Sequence, residues 1–240
     1  AKTKVKTKGN SEGGKLHRSF REAKTKVKTK GNSEGGKLHR KINQVEPWYG
    51  EEEINAVSEY LRSGGWIMEH KKTRELEKMI ADYTGAKFCS LLPNGTLTLW
   101  AALAVLGIGK NDQVLVPDYT MVATANAVVL AGAEPVFVDI DRKDLCLNLE
   151  LTQKAISQRT KAIMLVSING RCPRVEDFVK LAKENNLYLI EDAAQSLGSR
   201  IAGKHLGTFG ILGSFSFSMP KIITMGQGGA LITDDEKIYE

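Results

Sequence analysis

The chain has 240 residues, 42% hydrophobic and 26% charged, which is enough for one large soluble domain or two small ones. Its longest mainly apolar stretch, Met121 to Val138, is interrupted by Asn126, Glu134 and Pro135, so no uninterrupted run of about 18 apolar residues is present to span a bilayer. Cys89, Cys146 and Cys172 are odd in number, far apart in sequence and in no CxxC pair, which argues against a disulfide framework or a thiolate zinc site and suits a reducing cytoplasm.

The charge is unevenly placed. Residues 1–41 carry 11 Lys and 3 Arg against 3 Glu, a net +11, whereas residues 42–240 carry 20 basic against 25 acidic side chains, a net −5. The basic arm contains "AKTKVKTKGNSEGGKLHR" at 1–18 and again, identically, at 23–40. With few apolar residues it cannot bury enough surface to fold alone, so disorder is expected over 1–41 and a folded domain over 42–240. Such an arm can bind nucleic acid electrostatically, but Phe20 is its one aromatic for base stacking, and a solvated tail or a duplication is the favoured reading. The arm lacks the apolar core of a secretory signal, and its Lys-rich, acid-poor character leaves organelle targeting open.

From residue 50 the pattern alternates. "EEEINAVSEYLRSGG" puts Ile54, Val57 and Leu61 on one helical face and stops at glycine, and "TRELEKMIADYTG" repeats the device before Gly85. Short β-like runs follow, each trailed by a helical one: "KFCSLL" then 96–107, "QVLVP" then 121–131, "PVFVDI" then 152–158, "KAIMLVS" then 175–185, and "LYLIED". "GSFSFS" and "GALITD" close the set. Continuous apolar strands alternating with helices predict a three-layer α/β/α domain with a mainly parallel sheet. Ligands in such sheets sit at the carboxyl ends of the strands.

Three of those ends carry chemistry. After "KFCSLL", Pro93-Asn94-Gly95-Thr96 opens a helix whose N-terminal N–H groups suit a phosphate, although Thr96 taken singly reads as an ordinary N-cap. After "LYLI", Asp192 stands where a hydrophobic strand runs out, suited either to a cationic ring nitrogen or to capping a following helix, with Gln195 in reach of the same ligand. The third is Lys221, the one charge between Leu206 and Thr233, in a stretch that reads as interior. A buried lysine tends to lose its proton and become a nucleophile, although one lysine near apolar residues more often snorkels to the surface. The adjacent "GQGG" favours close backbone approach. A phosphate nest, a carboxylate and a lone amine together describe a pyridoxal phosphate site.

The stretches "PNGTLTLWAAL", "VLVPDYTMVATANAVVLAGAEPVFVDID", "LIEDAAQSLGS" and "GSFSFSMPKIITMGQGGALIT" closely resemble the DegT/StrS type of nucleotide-sugar aminotransferases, of the fold type I pyridoxal phosphate class, over about residues 45–240 and in the same order. The resemblance implies that Lys221 is the Schiff-base lysine, Asp192 the pyridine-nitrogen partner and Gln195 the residue beside the ring hydroxyl. It assigns Gly95, Thr96 and the amide of Leu97 to the phosphate loop, Ser216 to a further phosphate contact, and Met121 to the ring face, where relatives often carry an aromatic. Ser218 stands where many members have histidine. Some sugar dehydratases of the family replace the lysine by histidine, so Lys221 favours transamination. The flavour is most similar to the perosamine synthase type, which aminates C4 of a GDP-linked 4-keto-6-deoxy sugar, with glutamate as the expected donor, a homodimer as the expected assembly and no metal. Family members continue well past the position of Glu240, so the chain reads as lacking the carboxyl-terminal part. The rival readings are a non-catalytic pyridoxal phosphate-fold binding protein with a basic arm and a dehydratase using the same cofactor.

Overall fold

Side chains alternate along the strands, and that alternation builds two cores on opposite faces of one sheet. The computed structural model describes residues 48–64 and 70–240. The basic arm over 1–41, its duplicated segment and the domain boundary placed after it lie outside the described residues. Strands β1 (Phe88–Leu92), β2 (Gln113–Pro117), β3 (Glu134–Val138), β4 (Thr160–Val166), β5 (Tyr188–Asp192), β8 (Leu212–Ser216) and β9 (Gly229–Thr233) form a sheet in the order β1-β9-β8-β5-β4-β2-β3. The run from β8 to β3 is parallel, and β9 is antiparallel to both of its neighbours, so six strands point one way and β9 opposes them.

Val114, Val116, Ala162, Met164, Ile190 and Leu212 face helices α3 (Gly95–Val105) and α4 (Val122–Leu130), which supply Leu99, Leu103 and Val128. Leu115, Ile163, Leu165 and Leu189 face the other way, onto Phe178 and Leu181 of α6 (Val175–Glu184). On that reverse face Phe215, Ala230 and Ile232 also meet Ile80 and Ala81 of α2 (Lys71–Thr84). A period of two thus sorts each strand between two helical layers. The expected three-layer, mainly parallel architecture is what the chain forms.

Several local outcomes differ from the sequence pattern. Helix α1 (Glu51–Arg62) forms where its apolar period places it, but it buries no residue, and Ile54, Val57 and Leu61 stay exposed. The helix expected over 152–158 is α5 (Leu149–Ala155), because the Asn148 side chain accepts the Leu151 N–H at 3.0 Å and starts it earlier. A two-stranded ribbon, β6 (Arg200–Ile201) and β7 (Lys204–His205), turns through Ala202 and Gly203, both at positive φ. A short helix α7 (Glu236–Tyr239) follows β9, capped by Asp235. Cys89, Cys146 and Cys172 are free and buried, yet the thiols of Cys146 and Cys172 face one another. Among the described residues no helix is long and apolar enough to cross a membrane.

Among the described residues the reverse face carries one fully buried carboxyl group, that of Glu191. Glu191 follows Leu189 by two and so points away from α3 and α4; its carboxylate accepts the N–H groups of Gly207 at 2.7 Å, Phe209 at 2.6 Å and Gly210 at 2.7 Å. Burial pushes the Glu191 carboxyl up, and the three amides oppose that. Glu191→Ala leaves three buried N–H groups without an acceptor. It is expected to lower stability by about 3 kcal/mol, read as a drop in the urea midpoint at unchanged slope.

Candidate active site

Six strands pointing one way bring the loops after β1, β2, β4, β5 and β8 to one edge of the sheet. A cavity of about 220 Å³ opens there on the α3–α4 side. Gly95, Thr96, Met121, Asp192, Gln195, Ser216 and Lys221 all line it; Leu97 does not.

The amino end of α3 explains that difference. Asn94, in extended conformation, is the N-cap: its Oδ1 accepts the Leu97 N–H at 3.0 Å and its carbonyl accepts the Thr98 N–H at 3.1 Å. Thr96 is therefore not the cap, and the Leu97 amide expected in the anion loop is turned to Asn94. Gly95 and Thr96 keep N–H groups with no acceptor among the described residues, at the positive end of the helix. A Cβ on Gly95 would lie 2.8 Å from Cβ of Ser216, so only glycine lets α3 approach the end of β8. Ser216 donates to Oγ of Ser218 at 3.1 Å. Two amides and these hydroxyls make a cradle whose donor chemistry fits a phosphate.

Asp192 lies two residues beyond Ile190 and therefore on the α3–α4 face. It is 5% exposed, accepts from Oγ1 of Thr124 at 2.8 Å through Oδ2, and accepts the Ala194 N–H at 3.2 Å through Oδ1. No helix follows it, which removes the helix-cap reading. Burial pushes its carboxyl up from the ordinary range; the Thr124 hydroxyl, the Ala194 amide and the positive charge of Lys221 oppose the rise. A buried anion facing an open cavity fits a cationic ring nitrogen.

Gln195 is oriented by a residue that sequence reasoning passed over. The N–H of Asn169, held at φ 50° in the 3-10 turn Ile168–Gly170, donates to Oε1 of Gln195 at 2.9 Å. That bond assigns the amide, so Nε2 is left as donor. Met121, the N-cap of α4, is exposed beside the cavity with its thioether free to cover a flat ring.

Lys221 follows Pro220 in the turn between β8 and β9 and is half-buried. The expectation of an interior stretch holds for β8 and β9 but fails between them. Met219, Ile222, Ile223 and Met225 are exposed, because β8 ends at Ser216 and the chain crosses the surface before β9 starts at Gly229. Lys221 thus reaches the cavity from a surface loop. Among the described residues no group of three or more His, Cys, Asp and Glu is placed to hold a metal ion.

The raised Asp192 carboxyl has a signature in stability. Between the ordinary Asp range and its raised value the folded chain binds a proton that the unfolded chain has released, so stability falls as pH rises through that window and is level above it. Glu191 adds a fall of the same sign. Urea midpoints followed from acid to neutral pH should show a shallower fall in Asp192→Asn than in the parent chain. Parallel curves would mean that Asp192 titrates in its ordinary range.

Known proteins share the sequence and the fold over most of this chain. The chain is 37% identical over 189 residues to GDP-perosamine synthase of Escherichia coli O157:H7, covering 79% of this chain and 52% of that one. The structure of an aminotransferase from Psychrobacter cryohalolentis superposes with a TM-score of 0.77 at 34% identity, over 80% of this chain and 49% of the other. That of a GDP-4-keto-6-deoxymannose-3-dehydratase, solved with a trapped PLP-glutamate geminal diamine, gives 0.78 at 27% identity, over 83% and 53%. The chain spans about half the length of the curated relatives it matches. Residues 47–240 match the family described as the DegT/DnrJ/EryC1/StrS aminotransferase family, and the chain belongs to that family.

Proposed function

We propose that this chain carries the cofactor-binding part of a pyridoxal phosphate-dependent transaminase acting on a nucleotide-linked keto-sugar, with glutamate as amino donor and C4 of a GDP-4-keto-6-deoxy sugar as the carbon aminated. One observation carries the reading: a single cavity holds a lysine, a buried carboxylate and a helix N-terminus with two N–H groups that have no acceptor among the described residues, each from a different strand end. Likeness to a GDP-perosamine synthase supports the sugar, and a relative crystallised with a PLP-glutamate adduct supports the donor. A homodimer in a reducing cytoplasm belongs to the same reading, in keeping with three free cysteines.

When bound, pyridoxal phosphate supplies a cationic ring that accepts the electron pair left when a proton departs from the amine-bearing carbon. The protein's own groups do the rest. Gly95 and Thr96 N–H groups would hold the phosphate at the start of α3, joined by the Ser216 hydroxyl when its proton turns from Ser218 to the ligand. Asp192 would keep a proton on the ring nitrogen, Nε2 of Gln195 would donate to the ring hydroxyl oxygen, and Met121 would cover a face. Lys221 would hold the cofactor through its amine, and that amine, when free, would serve as the base that moves a proton.

The dehydratase reading has one specific support, the superposition on a sugar 3-dehydratase; a lysine at position 221 is what favours transamination over it. Product analysis separates them, since a transaminase leaves nitrogen on the sugar and a dehydratase removes oxygen.

Pyridoxal phosphate added to the full chain should give a visible absorption band that borohydride bleaches, with the cofactor's mass on Lys221. Lys221→Ala should bind cofactor without that adduct, and glutamate-dependent amination should fall at least about a hundredfold. Label scattered over the lysines of residues 1–41, or full activity in Lys221→Ala, would overturn the assignment.

A further inference from the structure

The hydroxyl that Thr124 gives to Asp192 is itself backed by a second hydroxyl, that of Thr120. Thr124 is fully buried, and its Oγ1 lies 2.8 Å from Oδ2 of Asp192 and 2.9 Å from Oγ1 of Thr120, which itself borders the cavity. Thr120 precedes the N-cap Met121 and Thr124 lies in the first turn of α4, so the chain entering the helix brings the two hydroxyls together. A hydroxyl has a single proton to give. With that of Thr124 committed to the carboxylate, Thr124 must accept from Thr120, and Thr120 is left with only acceptor capacity toward the cavity. The result is a directed line of donors, Thr120 to Thr124 to Asp192, ending on one carboxylate oxygen while the Ala194 N–H fixes the other.

We infer that Thr124, backed by Thr120, is a positioning residue for Asp192: it fixes the plane of the carboxylate and holds it as a pure acceptor, so that its open lone pair faces the ring nitrogen. The inference rests on the reading under Proposed function for its ligand, but not for its geometry. Asp192 needs such a donor because burial penalises its charged form, and a hydrogen bond to an anion in a dry site is stronger than the same bond in water. The one charged side chain acting on Asp192 among the described residues is Lys221, and in the proposed holoenzyme its amine is tied up in the bond to the cofactor. Thr124 and the Ala194 amide then remain as the fixed groups stabilising the carboxylate beside the ring. Thr124→Val keeps the shape and removes the hydroxyl; Thr124→Ser keeps the hydroxyl.

The decisive experiment is a carbon-13 NMR titration of aspartate carboxyls in the full chain without cofactor, with the Asp192 signal identified by its loss in Asp192→Asn. Thr124→Val should move the Asp192 titration to higher pH and Thr124→Ser should return it to the parent position. Thr120→Val should move it less, in the same direction. With pyridoxal phosphate labelled at its ring nitrogen, nitrogen-15 NMR of Thr124→Val should shift toward the unprotonated form, and cofactor affinity should fall about tenfold. An Asp192 titration unchanged in a folded Thr124→Val, checked by circular dichroism, overturns the inference. If valine does not fold at this site, Thr124→Ala removes the same hydroxyl and is held to the same outcome. Failure of every variant and the parent to bind cofactor would sink the functional reading instead, and the cofactor-free titration would still decide this one.

Discussion

Two carboxylates, Glu191 and Asp192, are buried side by side at the end of β5, and the rest of the molecule is organised around satisfying both. A strand sends successive side chains to opposite faces, so neighbours in sequence enter different environments. Glu191 goes to the α6 side and gathers three amides from 207–210; Asp192 goes to the α3–α4 side and takes a hydroxyl and one amide. Neither charge can be left unpaired in the interior. A one-residue slip of β5 would exchange the two carboxylates and leave each facing the other's partners. The register against β4 and β8, from Ala162–Tyr188 to Asp192–Ser214, is therefore what puts an anion in the cavity. Of the two, Glu191 is fully provided for by backbone and serves the fold. Asp192 keeps capacity in reserve on the cavity side.

Parallel strands make that reserve usable. In a sheet with six strands running one way, the loop after each of those six arrives at the same edge, and residues more than a hundred positions apart in the chain, such as Gly95 and Ser216, come into contact. Helices α3 and α4 fit closely over this edge because they consist mainly of Gly, Ala, Thr, Val and Leu. Antiparallel β9 closes the other half of the sheet, and Gly229 at its start passes so near Asn94 that a Cβ there would lie 2.6 Å from the Asn94 carbonyl carbon.

Much of this was legible in the sequence, for identifiable reasons. Continuous Val, Ile and Leu runs announced the strands, because strands buried on both faces need no polar alternation. Asp192 and Lys221 stood out as charges in apolar surroundings, and Gly95 stood out beside a helix start. What remained hidden was set by partners distant in sequence. Nothing local marks Thr124 as the donor to a carboxylate 68 positions on, or Asn169 as the residue that orients Gln195. Asn94 and Thr96 are equally good caps by type, and only backbone geometry gives the role to Asn94. The ribbon turn at Ala202 and Gly203 joins strands of only two residues each, too short for any alternation to mark them. The apolar residues around Lys221 suggested an interior because composition reports what a segment could bury, not whether anything covers it.

The Gly95–Ser216 contact bears on how the cradle responds to its ligand. A helix seated against a strand end with no room for a methyl group between them has little freedom to slide or tilt. The two amides of α3 and the Ser216 hydroxyl are therefore held in register by the same packing that folds the sheet. An anion arriving there meets donors already converged, and the entropy of gathering them has been spent during folding. The loop carrying Lys221 has no such seat. In this molecule the anchoring half of the pocket is built into the packing of helix on sheet, whereas the reactive amine is carried by a surface turn held by its own short-range hydrogen bonds.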